Sequence, residues 1–308
     1  MEYIKSVIAQ DYTPAADGVV TFDLPVNPLS HIIFTIKALN VTDEASLANL
    51  LALVTKIEVL YQGAAIFSMS AADLYALDVI LFGQSPLLAN QVATDKATRW
   101  VSLIIPFGRL TLNPKEAFPA TTKGQLQLQA TVDIATAEAD GLILQIETIE
   151  MPEATPDRFL KVHTLSKTPS ATGDLDVDLP IGNLLASIML FSTTVPTGTA
   201  WTTTVDQVKL LVNNREYHIS KANWESIHGE LLLRSGHKQS YDGSADDDDI
   251  KQYGLLDFSP RAVDDFLLDT AGKASVKLRI TAGDTNVLRI FPMELLEAAR
   301  AGRGTPAA

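Results

Sequence analysis

Residues 13–25 read TPAADGVVTFDLP, and residues 168–180 read TPSATGDLDVDLP. At a constant offset of 155, seven of the thirteen positions are identical: Thr13/Thr168, Pro14/Pro169, Ala16/Ala171, Gly18/Gly173, Asp23/Asp178, Leu24/Leu179 and Pro25/Pro180. Average residue usage gives roughly one match by chance. The register runs on through Leu29/Leu184 and Ile33/Ile188, in the apolar stretches HIIFTI and ASIMLF. Later segments correspond in the same order with a drifting offset. VTKIEVLYQGAAIFSMSA (54–71) lies against VDQVKLLVNNREYHISKA (205–222), and IIPFGR (104–109) against LLDFSPR (255–261). QLQLQATVDI (125–134) matches SVKLRIT (275–281), and LILQIETIEMPE (142–153) matches VLRIFPME (287–294). Shared order with loop-sized gaps is the trace of a duplicated domain. The stretch MPEATP reads as a linker between halves 1–154 and 155–308.

Each half is built of strands. In Gln125–Ile134, Leu126, Leu128, Ala130, Val132 and Ile134 alternate with polar residues, a period of two that gives one buried and one wet face. Val276, Leu278 and Ile280 repeat the pattern. Gln62-Gly63 and Asn213-Asn214 are turn-prone pairs at matching places, so each half carries a hairpin there. One helix follows in each half, over Ala71–Leu81 and over 221–233, and the tail Met293–Ala301 reads as a short amphipathic helix. The expected fold is all-β: two tandem jelly-roll sandwiches, each with one short helix.

Composition narrows the function. Twenty-four basic against 37 acidic residues give a net charge of −13, which argues against nucleic-acid binding, since phosphate affinity needs clustered Lys and Arg. With 46% hydrophobic and 20% charged residues among 308, wholesale disorder is excluded. The absence of cysteine rules out disulfides, thiolate metal sites and a Cys nucleophile. No apolar run approaches the ~18–20 residues of a membrane span. The start MEYIK lacks the basic-then-apolar pattern of a secretory signal, so the chain is expected to stay where it is made.

Catalytic constellations are missing from the pattern. His31, His163, His218, His228 and His237 form no HExxH spacing, and there is no G-x-S-x-G elbow or phosphate loop. Glu147 and Glu150 could imitate a glycosidase pair but read as surface acids of an acidic protein. Trp224 shares a helix face with Ile227 and is expected in the core; Trp100 opens a strand at a sheet rim. No catalytic residue and no cofactor are expected. The exception is the run Asp246, Asp247, Asp248 and Asp249, which reads as a solvated loop, a calcium-type site, or a partner for a neighbour's Arg or Lys.

Two tandem jelly rolls of this size, with the paired segments Thr13–Pro25 and Thr168–Pro180, matched hairpins and IIPFGR, resemble the double jelly-roll major capsid proteins. These build tailless icosahedral viruses with an internal membrane, and the adenovirus hexon is a larger relative. Size and short loops look closest to the bacteriophage members. The resemblance implies a structural, non-enzymatic protein of the virion capsid, made in the host cytoplasm. It implies homotrimeric, pseudo-hexameric capsomers that contact neighbouring capsomers, minor capsid proteins and the internal membrane. Apolar loop residues Leu87, Leu88 and Trp201 are then candidates for burial between chains. The alternative is a two-sandwich carbohydrate-binding or adhesin protein, which would expose aromatics on a sheet face or loop rim. Aromatic residues total only 7%.

Overall fold

The computed structural model describes residues 2–86, 88–89, 94–197, 200–235 and 250–300. The chain divides into two compact units, one made of Met1–Leu81, Ser85–His163 and the chain from Leu296, the other of Phe82–Gln84 and Thr164–Leu295.

The first unit holds β1 (Ile4–Tyr12), β2 (Gly18–Asp23), β3 (Leu29–Asn40), α1 (Leu47–Ala52), β4 (Val54–Tyr61), β5 (Ala64–Met69), α2 (Ala71–Phe82), β6 (Leu88–Ala89), β7 (Thr98–Pro106), β8 (Leu126–Val132), β9 (Ala139–Glu150) and β10 (Arg158–His163). One sheet runs β1-β9-β3-β7-β6, and the other runs β10-β5-β4-β8-β2. Neighbours are antiparallel except β10, which lies parallel to β5 with Val162 opposite Phe67. Phe34, Ile36, Leu103 and Leu144 from the first sheet and Ile57, Val59 and Leu128 from the second are fully buried, so these residues form the core.

The second unit holds β11 (Leu165–Lys167), β12 (Gly173–Asp178), β13 (Leu184–Ser192), β14 (Val205–Val212), β15 (Arg215–Glu216), β16 (Ala222–Asn223), α3 (Trp224–Ser235), β17 (Tyr253–Asp257), β18 (Leu268–Asp269), β19 (Val276–Ala282) and β20 (Leu288–Glu297). One sheet runs β17-β13-β20 with β11 on β20 and β18 on β13; the other runs β12-β19-β14-β15 with β16 on β14. Val177, Ile188, Leu210, Trp224, Leu278 and Ile290 share one core.

The two units repeat each other down to single residues. In both, the first strand pairs antiparallel with a long late strand, β1 with β9 and β11 with β20. Gly18 faces Val132 and Asp23 faces Gln127; Gly173 faces Ala282 and Asp178 faces Lys277. Both glycines open their strand with positive φ, +141° and +120°, where a side chain would strain the backbone. The β4–β8 ladder carries a bulge between Val54 and Lys56, and the β14–β19 ladder carries one between Val205 and Gln207. Gln62 and Gly63 both have positive φ, as do Asn213 and Asn214, which is the type I′ turn that matches strand twist. This strand order, closed by Greek-key connections, is the jelly roll, present twice.

Two segments differ from the sequence reading. A six-residue helix, α1, is capped by Ser46, whose hydroxyl accepts from Asn49 N–H at 3.3 Å. The tail expected to be helical from Met293 is instead the end of β20, with Met293 opposite Ser187 and Leu295 opposite Leu184. Local helix propensity in MELLEAA yields to a ladder along β13 that pairs the strand as far as Leu295, and Ala298–Arg300 form a 3₁₀ turn.

Candidate functional site

A buried cluster of charges lies in the first unit. Glu116 and Arg109 are buried, and Arg158 is partly so. Glu116 Oε2 accepts from Arg109 Nε at 3.1 Å and from its backbone N–H at 3.2 Å. Its Oε1 accepts from Arg109 Nη2, and from Arg158 Nε at 2.9 Å and Nη2 at 2.5 Å. Burial alone would raise the Glu116 pKa, but the hydrogen bonds and charge of Arg109, with the hydrogen bonds of Arg158, hold it below its ordinary 4.5. Gly108 makes the approach possible, because a Cβ there would lie 2.3 Å from the Glu116 carbonyl oxygen. Arg158 opens β10, and backbone bonds from Leu160 N–H to Phe107 O (2.9 Å) and from Ala117 N–H to Arg158 O (3.2 Å) seat that strand along the same loop. The arrangement clamps β10 onto the first jelly roll. The three residues lie up to 49 positions apart in the sequence, and no local pattern announces them.

The histidines are scattered. His31 is buried in β3, with Nδ1 2.9 Å from Ser30 Oγ, which accepts from Leu112 N–H at 2.7 Å. Burial, with Lys5 nearby, lowers its pKa to about 4; burial, with Lys161, does the same to His163. Among the described residues no three His, Asp or Glu side chains converge as metal ligands. Glu147 pairs with Lys5 at 2.8 Å, whereas Glu150 accepts from Ser6 Oγ at 2.5 Å and Asn27 Nδ2 at 2.7 Å. Three positions apart on one strand, the two carboxylates face opposite sides and form no catalytic pair.

Asp246, Asp247, Asp248, Asp249 and Leu87 lie outside the described residues. Leu88 faces Val101 across β6–β7 and is half-buried on the core side, while Trp100, next along β7, is 41% exposed. The edge strand β1 and the residue before it expose Tyr3, Ile4 and Val7. In the second unit, Trp201 is 76% exposed and stands over a cavity of about 440 Å³. Trp224 and His228, one helical turn apart on α3, share its lining with Glu225 and Leu232. Their rings stack at 6.1 Å with an interplanar angle of 13°, and His228 Nδ1 donates to the Tyr253 carbonyl at 2.6 Å. Trp224 takes the expected core position; the pairing with His228 is legible only as an i, i+4 spacing on a helix.

No family model and no curated protein matches the sequence. Solved structures do match it. The major capsid protein P2 of bacteriophage PM2 is similar over 96% of this chain and 97% of its own, at a TM-score of 0.68 and 12% identity. The MCP of STIV, the Sulfolobus turreted icosahedral virus, is similar over 99% and 100%, at 0.70 and 13%. The Faustovirus major capsid protein is similar over 96% and 89%, at 0.58 and 10%. At such identities the likeness is one of fold, and the fold of this chain is the double jelly roll of these viral major capsid proteins.

Proposed function

We propose that the chain is the major capsid protein of an icosahedral virus and works as a structural protein rather than an enzyme. The observation that carries this reading is the repeat of one strand register, bulge and turn in two jelly rolls of one chain, in a fold shared end to end with capsid proteins. Two similar domains per chain, repeated about a threefold axis, give a footprint with six corners. Such a footprint packs a shell as a hexamer would, yet lets the two copies diverge at their edges. The homotrimer is therefore the proposed building block, with neighbouring capsomers, minor capsid proteins and an internal membrane as its proposed surroundings in the virion. Tyr3, Ile4 and Val7 on the β1 edge, together with Trp100, are apolar positions that a second chain would cover. Leu88 and the undescribed Leu87 are proposed at the same type of contact.

Solution mass by light scattering tests the reading. A stable species of about three times 33.3 kDa supports it. A chain that remains monomeric at all concentrations and salts overturns it.

A further inference from the structure

We propose that the buried pairs Asn27–Glu150 and Asn183–Glu294 are one latch present twice, which fixes the bulged start of β3 and of β13. Asn27 Nδ2 donates to Glu150 Oε2 at 2.7 Å, and Asn183 Nδ2 donates to Glu294 Oε2 at 2.6 Å. The two glutamates are 4% and 1% exposed. Leu29 lies opposite Glu150 and His31 opposite Ile149, so Ser30 is an extra residue on β3. Leu185 lies opposite Glu294 and Ser187 opposite Met293, so Ala186 is an extra residue on β13. In each unit the asparagine stands two residues ahead of the leucine that faces its glutamate. The segments are LPVNPL (24–29) and LPIGNLL (179–185), and the additional Gly182 moves the correspondence from Leu29/Leu184 to Leu29/Leu185.

The bulge has the same consequence in both units. Along β3 the inward residues Ile32, Phe34 and Ile36 are even-numbered, yet Leu29 is fully buried as well. Along β13, Ile188 and Leu190 enter the core, and so does Leu185. One extra residue reverses the alternation of faces, so a leucine of the other parity turns inward. The bulged residue also holds the exit of the neighbouring strand. Phe107 N–H donates to Ser30 O at 3.1 Å, and Phe258 N–H donates to Ala186 O at 2.9 Å. From Phe107 and Phe258 the chain leaves the sheet in loops that expose Leu110 and Leu112 in the first unit and Val263 and Phe266 in the second. Opening the latch releases the start of the strand, the bulge and the anchored end of that loop together.

A strand end of this kind does not need a carboxyl group. Burying one costs free energy that an apolar side chain of similar size avoids. Its hydrogen bond is directional, however, and accepts one placement of the asparagine and therefore one register at the bulge. The halves share few residues beyond the Thr-Pro and Asp-Leu-Pro segments, yet both keep this pair at the same place. A jelly roll asks for no such likeness, so a pair held in both copies marks a constraint that both obey. Each pair lies within one unit, and the latch stands whether or not the chain forms a shell.

The test exchanges the partners in the full chain. Asn27→Asp and Asn183→Asp each set two carboxyl groups against one another. Adding Glu150→Gln or Glu294→Gln restores one amide and one carboxylate with side chains of the natural lengths, the direction of the bond being reversed. Native-state amide hydrogen exchange supplies the readout. In the first unit it follows Phe107 and Met151, whose N–H donates to Pro28 O at 2.8 Å; in the second it follows Phe258 and Thr270, whose N–H donates to Asn183 O at 3.1 Å. Asn27→Asp is expected to speed exchange about tenfold or more at Met151 and Phe107, leaving β8 and the second unit unchanged. Asn183→Asp is expected to do the same at Thr270 and Phe258, leaving β19 and the first unit unchanged. Each double variant returns its reporters to within about threefold of the natural rates. A single variant that fails to fold supports the latch if its double variant folds with those rates. Unchanged exchange in the single variants, equal acceleration in β8 or β19, or a double variant that neither folds nor recovers would each overturn the proposal.

Discussion

Replacing Glu116 by Gln probes the clamp on β10 with little change of shape. The carboxylate serves Arg109 and Arg158 together, at 2% side-chain exposure against 7% and 23% for the two arginines. Gln keeps one acceptor but turns an NH₂ toward guanidinium donors and leaves Arg109 buried without a counter-charge. Breaking a buried ion pair in this way costs about 3–5 kcal/mol. For a unit of this size that is a fall of about 6–20 °C in the melting temperature of the first unit. The exposed pair Lys115–Asp157, 3.2 Å apart at 63% and 69% exposure, is the control, and Asp157→Asn should cost less than about 1 kcal/mol. Calorimetry and urea unfolding supply the comparison, fitted as two transitions because the chain has two units. The pH dependence has a definite sign. A carboxylate held below its ordinary 4.5 contributes stability above that pH and loses it as pH falls toward the folded value. The gap between the natural chain and Glu116→Gln should therefore narrow below pH 4.5. A variant within about 1 kcal/mol of the natural chain at pH 7 would refute the clamp.

Three further outcomes follow from single residues. His31 and His163, lowered from 6.5 to about 4, stabilise the first unit fully above pH 6.5 and lose that contribution as pH falls to 4; NMR titration of the imidazoles checks the values, and urea unfolding at each pH the loss. Asp78 is buried on α2 and its pKa is raised by that burial, against the hydrogen bond that Oδ2 accepts from Ile104 N–H at 2.8 Å. Asp78→Asn keeps an acceptor and carries no charge, so its stability relative to the natural chain should increase as pH rises above 3.8 in urea titrations. Gly108→Ala, with a Cβ 2.3 Å from the Glu116 carbonyl oxygen, should destabilise by about 1–3 kcal/mol in thermal melts.

The repeat was legible because its markers are backbone demands written in residue type. Gly18 and Gly173 supply positive φ, and Gln62-Gly63 and Asn213-Asn214 supply the type I′ turns, so duplication preserved them visibly. Alternation in β8 and β19 showed which faces are buried, because one face of each strand packs on the core. The end of β20 was not legible. Phe291–Leu296 is buried without alternation, and such a run reads equally as helix or strand until its partner is known. The α1 helix has only six residues and depends on its Ser46 cap and packing rather than on a periodic face. The Glu116 clamp and the burial of the Trp224 N–H, which has no partner among the described residues, lay beyond sequence reasoning for a different reason. Each arises from residues that the fold brings together, and side-chain spacing along the chain carries no trace of it.

The central claim is that two equivalent jelly rolls in one chain make a six-cornered unit of a shell. Electron-microscopic class averages of the purified full-length protein test it most directly. Threefold particles with six lobes in two alternating kinds, one per jelly roll, are the predicted result; isolated two-lobed particles, or rings whose symmetry is not threefold, would contradict it.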